Sequence, residues 1–246
     1  NVVGTEVVVA SCLKNKVPHL VYTSTPSVVF NREDINGGDE SLPYATRYLC
    51  HYAKSKVIAE RTVLGANCRS LATCAIRPHL IWGPGDPHLL PRLVESGRKK
   101  ILKRVGDGSN LVDISYIDNV AHAHILAANN LSEKKTAAGK AYFISQGEPV
   151  NLWDWIDELF TSMDIDRVRS SLSFPVAYRL GGVLEAVYKL TGSKKEPRMT
   201  RFLAEQLAKS HYFSIENAQN DLGYKPIIST KEGLRRTVQW LQCDEK

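Results

Sequence analysis

Tyr52 and Lys56 stand four residues apart in the run Tyr52-Ala53-Lys54-Ser55-Lys56. On a helix that spacing puts both side chains on one face. An ammonium beside a phenol favours the phenolate and lowers the tyrosine pKa. A tyrosine tuned in this way can take a proton from an alcohol or return one to a carbonyl. Alone, the pair is a weak signal, because most such matches are solvated helix faces. Its surroundings add to it. An apolar run, His19 to Tyr22, ends in the hydroxyls of Thr23, Ser24 and Thr25. The carboxyl ends of parallel strands are where open α/β sheets place their ligands. The competing role for these hydroxyls is capping of strand-end backbone. A second apolar run, Leu71 to Ile76, ends in Arg77-Pro78.

These residues need elements to carry them. Val2, Val3, Val7, Val8 and Cys12 recur at helical spacing, predicting a helix over about 2–14. Residues 19–24 then read as a buried strand, 31–44 as a loop, 47–66 as a helix and 71–76 as a second strand. Helix–strand alternation argues for a parallel α/β sheet. Further on, 88–98 reads as helix and 110–117 as a short strand. Residues 118–130 read as a helix with Asp118 at its N-cap, and 141–145 as a third buried strand. Beyond Val150, helical periodicity dominates 151–163, 174–190, 199–209 and 230–241.

Composition sets the outer limits. The 246 residues are 43% hydrophobic and 24% charged, which excludes a disordered, collagen-like or coiled-coil chain. The net charge of +6 permits an anionic ligand, nucleic acid or a membrane surface. The basic run Arg98-Lys99-Lys100 with Lys103-Arg104 lacks interleaved aromatics, so it reads as a solvated face and no nucleic-acid partner is expected. Five irregularly spaced cysteines suit reduced thiols and a cytoplasmic location. The sequon Asn130-Leu131-Ser132 is an isolated match. His122 and His124, two apart on a helix, point to different sides, so no metal site is expected.

Taken in order, Thr23-Ser24-Thr25, Tyr52-x-x-x-Lys56 and the stretch from Arg77-Pro78 to Trp82-Gly83-Pro84-Gly85-Asp86 resemble an extended short-chain dehydrogenase/reductase. More closely, the chain resembles the 3β-hydroxysteroid dehydrogenase and sterol-4α-carboxylate 3-dehydrogenase group. Asn1 to Thr5, Leu20 to Ser24, Gly106 to Asp113, Ile117 to His124, Phe213-Ser214 and Leu222 to Pro226 carry the same likeness. The resemblance implies a Rossmann-type doubly wound parallel sheet with a smaller, mostly helical substrate lobe. Residues 1–80 and about 116–150 would belong to the dinucleotide-binding part, and about 81–115 and 151–246 to the lobe. It implies NAD or NADP as cofactor, with NAD favoured. It also implies roles: Tyr52 as general acid/base, Lys56 as ribose ligand and tuner of Tyr52, and Thr25 as the substrate-polarising hydroxyl. The family usually has Ser at the position of Thr25, and Ser24 is the fallback. Asn1, Pro78 and Ile81 would lie along the cofactor, and His79 and His88 beside the substrate.

The family's opening strand and glycine-rich pyrophosphate loop find no match here. Gly37-Gly38 lie in an acidic loop and Gly181-Gly182 in a helical pattern. With no initiator Met, the expectation is a piece lacking about 60–100 N-terminal residues, the length of a few βαβ elements. Alone it would bind cofactor poorly, fold marginally and be inactive.

The implied reaction is oxidation of a 3β-hydroxyl on a hydrophobic, sterol-like molecule, with loss of CO₂ open where a 4-carboxylate is present. Many nucleotide-sugar epimerases and dehydratases of the same superfamily carry a phosphate-gripping Arg where this chain has Val112, which favours an apolar substrate. Such an epimerase, another ketone reductase and a non-catalytic cofactor-binding sensor remain alternatives. Phe174, Val176, Ala177, Leu180, Val183, Leu184, Val187 and Leu190 read either as an apolar cleft wall or as a helix packing its own core. Arg179, Lys189, Lys194 and Lys195 leave peripheral membrane contact open at the same segment. A homodimer is open as well.

Overall fold

The structure, a computed structural model, describes residues 1–193 and 197–243. The first half alternates as its apolar pattern requires: α1 (Val2–Lys14), β1 (His19–Thr23), β2 (Ile35–Gly38), α2 (His51–Gly65) and β3 (Ala72–Pro78). There follow β4 (Ile81–Trp82), α3 (Leu89–Arg98), β5 (Arg104–Val105), β6 (Leu111–Val112), β7 (Ser115–Tyr116), α4 (Ile117–Ser132) and β8 (Lys140–Ile144). The rest comprises β9 (Val150–Asn151), α5 (Leu152–Ser162), β10 (Ser171–Leu172), α6 (Phe174–Leu190), α7 (Arg201–Ala208), β11 (His211–Phe213), α8 (Glu216–Leu222) and α9 (Thr230–Cys243).

β1, β3 and β8 form a parallel sheet in that order. Every residue of β3 is buried, as expected for a strand covered on both faces. Ala72, Cys74 and Ile76 pack on Ala123, Ala127 and Leu131 of α4. The intervening residues turn to α2, where Thr73 Oγ1 donates to Val63 O at 2.9 Å. A second core, with Trp82, Tyr116, Trp153, Trp155 and Phe160, joins β4 and β7 to α3, α5 and α9. The chain then returns to the first core, where Ile215, Ala218, Leu222 and Tyr224 pack with β3, β8 and α4.

Several elements depart from expectation for identifiable reasons. The predicted loop over 31–44 contains β2, which pairs with β11 at Ile35↔His211. No local pattern announces a partner so far along the chain. The predicted strand over 110–117 is divided into β6 and β7, which join different sheets. Asp118 is not the N-cap of α4; Tyr116 is. Asp118 stands in the first turn, where the helix dipole favours its charge, and meets Arg236 at 3.5 Å. α2 begins at His51, four residues later than expected.

α6 occupies the predicted span but faces differently. Phe174 and Ala177 join the second core, whereas Val176, Leu180, Val183, Val187 and Leu190 form an exposed stripe. The segment is therefore not mainly a helix packing its own core. Gly181 explains its own presence: a Cβ there would stand 2.6 Å from the Thr200 carbonyl carbon and 2.7 Å from Arg201 N, so α6 meets the start of α7 backbone to backbone. Lys194 and Lys195 lie outside the described residues. Among those described, no helix is long and apolar enough to cross a membrane. The sequon Asn130 is buried, its Nδ2 donating to Thr136 Oγ1 and Asp221 O at 2.8 Å each. All five cysteines are free thiols.

Candidate active site

The carboxyl end of β1 and the first turns of α2 meet over the edge of β3. The register sets this: Thr23 pairs with Ile76, and Ser24 N donates to Ile76 O at 2.7 Å. Thr25 then turns out of the strand, and its side-chain oxygen accepts from Ser27 N at 3.3 Å, capping the short 3₁₀ turn Pro26–Val28. That cap holds the Thr25 hydroxyl beside the Tyr52 phenol, whose pKa it lowers. Ser24 is buried and its Oγ finds no partner among the described residues.

Lys56 Nζ donates to Thr23 O at 2.8 Å and lies 4.8 Å from the centre of the Tyr22 ring. The ammonium is thus fixed to the backbone of β1. Burial holds the Tyr52 phenol above its ordinary pKa, against the lowering effect of the Thr25 hydroxyl. The expected lowering by Lys56 is not found: desolvation is the largest influence on the phenol, and Lys56 is not among the groups that shift it. Burial also pulls the Lys56 ammonium down, while Glu60, one turn on, supports its charge. Raised above its ordinary value, the Tyr52 phenol is protonated at neutral pH.

Asn1 Nδ2 donates to Ser55 Oγ at 2.9 Å, which brings the start of α1 to the same helix face. Pro78 closes β3 beside these groups, and Ile81 is partly exposed beyond it. Between them Leu80 adopts φ 41°, an uncommon conformation for a branched residue. The structure thus gathers Asn1, Ser24, Thr25, Tyr52, Lys56 and Pro78 around one sheet edge.

The two histidines expected near substrate fare differently. His79 is buried, its Nε2 2.6 Å from His211 Nδ1. His211 Nε2 donates to Gln206 O at 3.0 Å, so its Nδ1 accepts from His79. Burial and the neighbouring ring hold His79 well below the usual imidazole pKa. His79 is a neutral link between β3 and β11. His88 is exposed just before α3, its backbone N–H taken up by Asp86 Oδ1 at 2.8 Å. Val112 is fully buried in the second core.

Sequence reasoning overlooked two supporting residues. His124 Nδ1 donates to Val120 O at 2.8 Å, which leaves Nε2 to accept from Thr23 Oγ1 at 2.8 Å. Glu60 is fully buried and grips Arg77 with both oxygens, at 2.6 and 3.1 Å. Glu60 had a sequence signal, its i+4 spacing from Lys56. His124 had none, since its partner lies 101 residues away.

These residues fit the nicotinamide half of an NAD(P). An orphaned buried hydroxyl, a phenol and an ammonium with spare N–H groups supply polar partners at the end of a parallel strand. No glycine-rich turn for the pyrophosphate occurs in the chain.

Fold and site together define an extended short-chain dehydrogenase/reductase, built on the Rossmann plan. The profile of the 3-beta hydroxysteroid dehydrogenase/isomerase family matches residues 1–176, and the chain belongs to that NAD(P)-dependent family of oxidoreductases. It is 48% identical over 238 residues to a 2-alkyl-3-oxoalkanoate reductase of Stenotrophomonas maltophilia, covering 96% of this chain and 72% of that one. It is 36% identical over 244 residues to the decarboxylating sterol-4-alpha-carboxylate 3-dehydrogenase of Mus musculus, covering 97% of this chain and 67% of that one. Among solved structures, the UDP-glucuronic acid 4-epimerase of Bacillus cereus in complex with NAD superposes with a TM-score of 0.70 at 18% identity, over 98% of this chain and 67% of the other. The chain thus spans about two thirds of the length of such relatives.

Proposed function

We propose that the protein interconverts a secondary alcohol and a ketone on a hydrophobic substrate that carries a carboxylate one carbon away. The two relatives' names point to this class together. A 2-alkyl-3-oxoalkanoate and a 3-hydroxysterol 4-carboxylate share one arrangement: the reacting carbon, an alkylated neighbour and a carboxylate on that neighbour. The sterol is the ringed form of the class and the alkanoate its open form. Loss of CO₂ can follow oxidation, because a β-keto acid sheds it without further protein groups.

The observation that carries the reading is the meeting of Thr25, Tyr52 and Lys56 at the end of β1. Thr25 holds the substrate oxygen. Tyr52 donates its proton to the ketone oxygen in reduction, or removes the alcohol proton in oxidation. Lys56, pinned to Thr23 O, holds a cofactor hydroxyl and keeps a positive charge behind Tyr52. The nicotinamide, when bound, supplies or accepts the hydride. Burial keeps Tyr52 protonated at neutral pH, which suits the donor role and so the direction of reduction.

In this reading residues 1–80 and about 116–150 hold the cofactor, and about 81–115 and 151–246 the substrate. The exposed stripe of α6, flanked by Arg179 and Lys189, is the face that would touch a lipid surface. Flotation with anionic vesicles tests that contact, and failure to co-float refutes it.

The deciding experiment follows nicotinamide absorbance with the full-length protein. Substrates are a 2-alkyl-3-oxo acid, a 4-carboxysterol, a plain 3β-hydroxysteroid and a UDP-sugar. Turnover of either carboxylated substrate supports the proposal. Turnover of the UDP-sugar alone refutes it, and cofactor binding without any turnover puts a sensor in its place.

A further inference from the structure

We propose that Ser27, Glu205 and one water bound between them form the path by which Tyr52 regains its proton after each reduction. The inference rests on the proposed reaction and says how its acid is reloaded. The turn after β1, the start of α2 and α7 enclose a recess. Ser27, Ala53 and Glu205 line it, together with the apolar Phe30, Leu49 and Phe202. The centre of a water molecule can move through about 10 Å³ of it, room for one water and no more.

Glu205 marks where that water binds. Its side chain is buried, and Oε1 accepts from Arg32 Nε at 3.0 Å, while Oε2 has no partner among the described residues. A carboxylate oxygen shut away from protein donors needs another donor, and a water in the recess supplies it. A buried water needs at least two polar partners, and Ser27 is the second. Its backbone N donates to Thr25 Oγ1, and its Oγ accepts from the Thr25 hydroxyl, each at 3.3 Å. With its oxygen receiving from Thr25, the Ser27 hydroxyl keeps its own proton for the water. Thr25 in turn stands beside the Tyr52 phenol.

Tyr52 is half-exposed, and cofactor and substrate cover that side during the reaction. Its proton therefore returns from the buried side. In reduction the Tyr52 O–H bond breaks as its proton passes to the ketone oxygen, while the carbon takes the hydride. Thr25 gives its hydroxyl proton to the Tyr52 oxygen, Ser27 gives one to Thr25 and the water gives one to Ser27. Hydroxyls can play both parts. Glu205 takes a proton from solvent, which reaches the recess at the exposed Arg47, and hands it to the water. The sum is one ketone, one hydride and one solvent proton converted to one alcohol.

The test follows nicotinamide absorbance by stopped flow, with the full-length protein, reduced cofactor and a 2-alkyl-3-oxo acid. Ser27→Ala keeps the backbone N–H that caps Thr25 and removes only the hydroxyl. It oxidises one cofactor per site at the wild-type rate, because Tyr52 starts out protonated. Later turnovers then slow roughly 10²-fold, the lower range for a lost proton-transfer group, and show an enlarged solvent deuterium isotope effect. Glu205→Gln behaves alike, and the double variant is no slower than the slower single one, since both interrupt one path. If Glu205→Gln does not fold, Ser27→Ala decides alone.

A first turnover slowed as much as the later ones would show a structural effect on Thr25, and an unchanged steady rate would place Ser27 outside the path. Either result overturns the inference while the proposed function stands. A wild type that oxidises no cofactor with either carboxylated substrate overturns the proposed function, and the path with it.

Discussion

The Arg77 guanidinium and the Glu60 carboxylate meet in a two-pronged ion pair between β3 and α2, with both side chains buried. Tyr44 donates to the same carboxylate at 2.8 Å, and Arg77 lies against the rings of Tyr44 and Phe143. The pair fastens the helix bearing Tyr52 and Lys56 to the strand that ends at Pro78.

Glu60→Leu should therefore be severe. It strands a guanidinium in the interior, which costs about 3–5 kcal/mol. The double variant Glu60→Leu with Arg77→Met should recover much of that loss, because no buried charge remains. Thermal melts of the two variants check this. Equal melting temperatures would mean that the pair contributes nothing beyond packing.

Tyr52→Phe should lower kcat roughly 10²- to 10⁴-fold, the range of a lost general acid/base, with an unchanged melting temperature. The pH profile gives a second reading. Because burial raises the Tyr52 pKa, the rate of reduction should stay level through neutral pH. It should fall only above the ordinary phenol value of about 10. A fall that begins near pH 7 would show that the titrating group is not this phenol in this setting.

Asp113 governs a different pH response. It is buried, accepts from Phe213 N at 2.7 Å, and burial raises its carboxyl to about 6. Its folded pKa exceeds the unfolded one, so the native state binds the extra proton. Stability from this group is complete below about pH 4 and is lost as pH rises through about 6. Asp113→Asn mimics the protonated form. It should match the wild type near pH 4 and exceed it by roughly 2–3 kcal/mol at pH 7.5. Denaturant melts at the two pH values measure the difference, and a constant gap would sink the assignment.

Much of this was legible in the residues, and the division follows range. α1, β1, β3 and α6 were visible because their apolar residues repeat within a few positions. Tyr52 and Lys56 were visible because one helical turn joins them. The hydrogen bond from Thr23 to His124 was not, nor was the pairing of Ile35 with His211. These contacts link positions more than a hundred residues apart and leave no local periodicity. His79 misled for a related reason. Its place after Pro78 suggested a ligand-facing side chain, but His211, from far along the chain, claims it. The reading of α6 as a self-packed core did not hold because periodicity shows that a helix has an apolar face, not what that face meets.

The central place of β3 has a consequence for which alterations the chain can absorb. Both catalytic segments take their position from this strand: β1 through its register, and α2 through Arg77 and Thr73. One residue added inside β3 would shift Pro78 by about 3.3 Å against Thr25. It would also exchange the faces that meet α2 and α4. One residue added in the turn at 66–70 would move neither. Length changes among homologous chains should therefore collect in such turns, and the seven positions from Ala72 to Pro78 should keep their number whatever their side chains become.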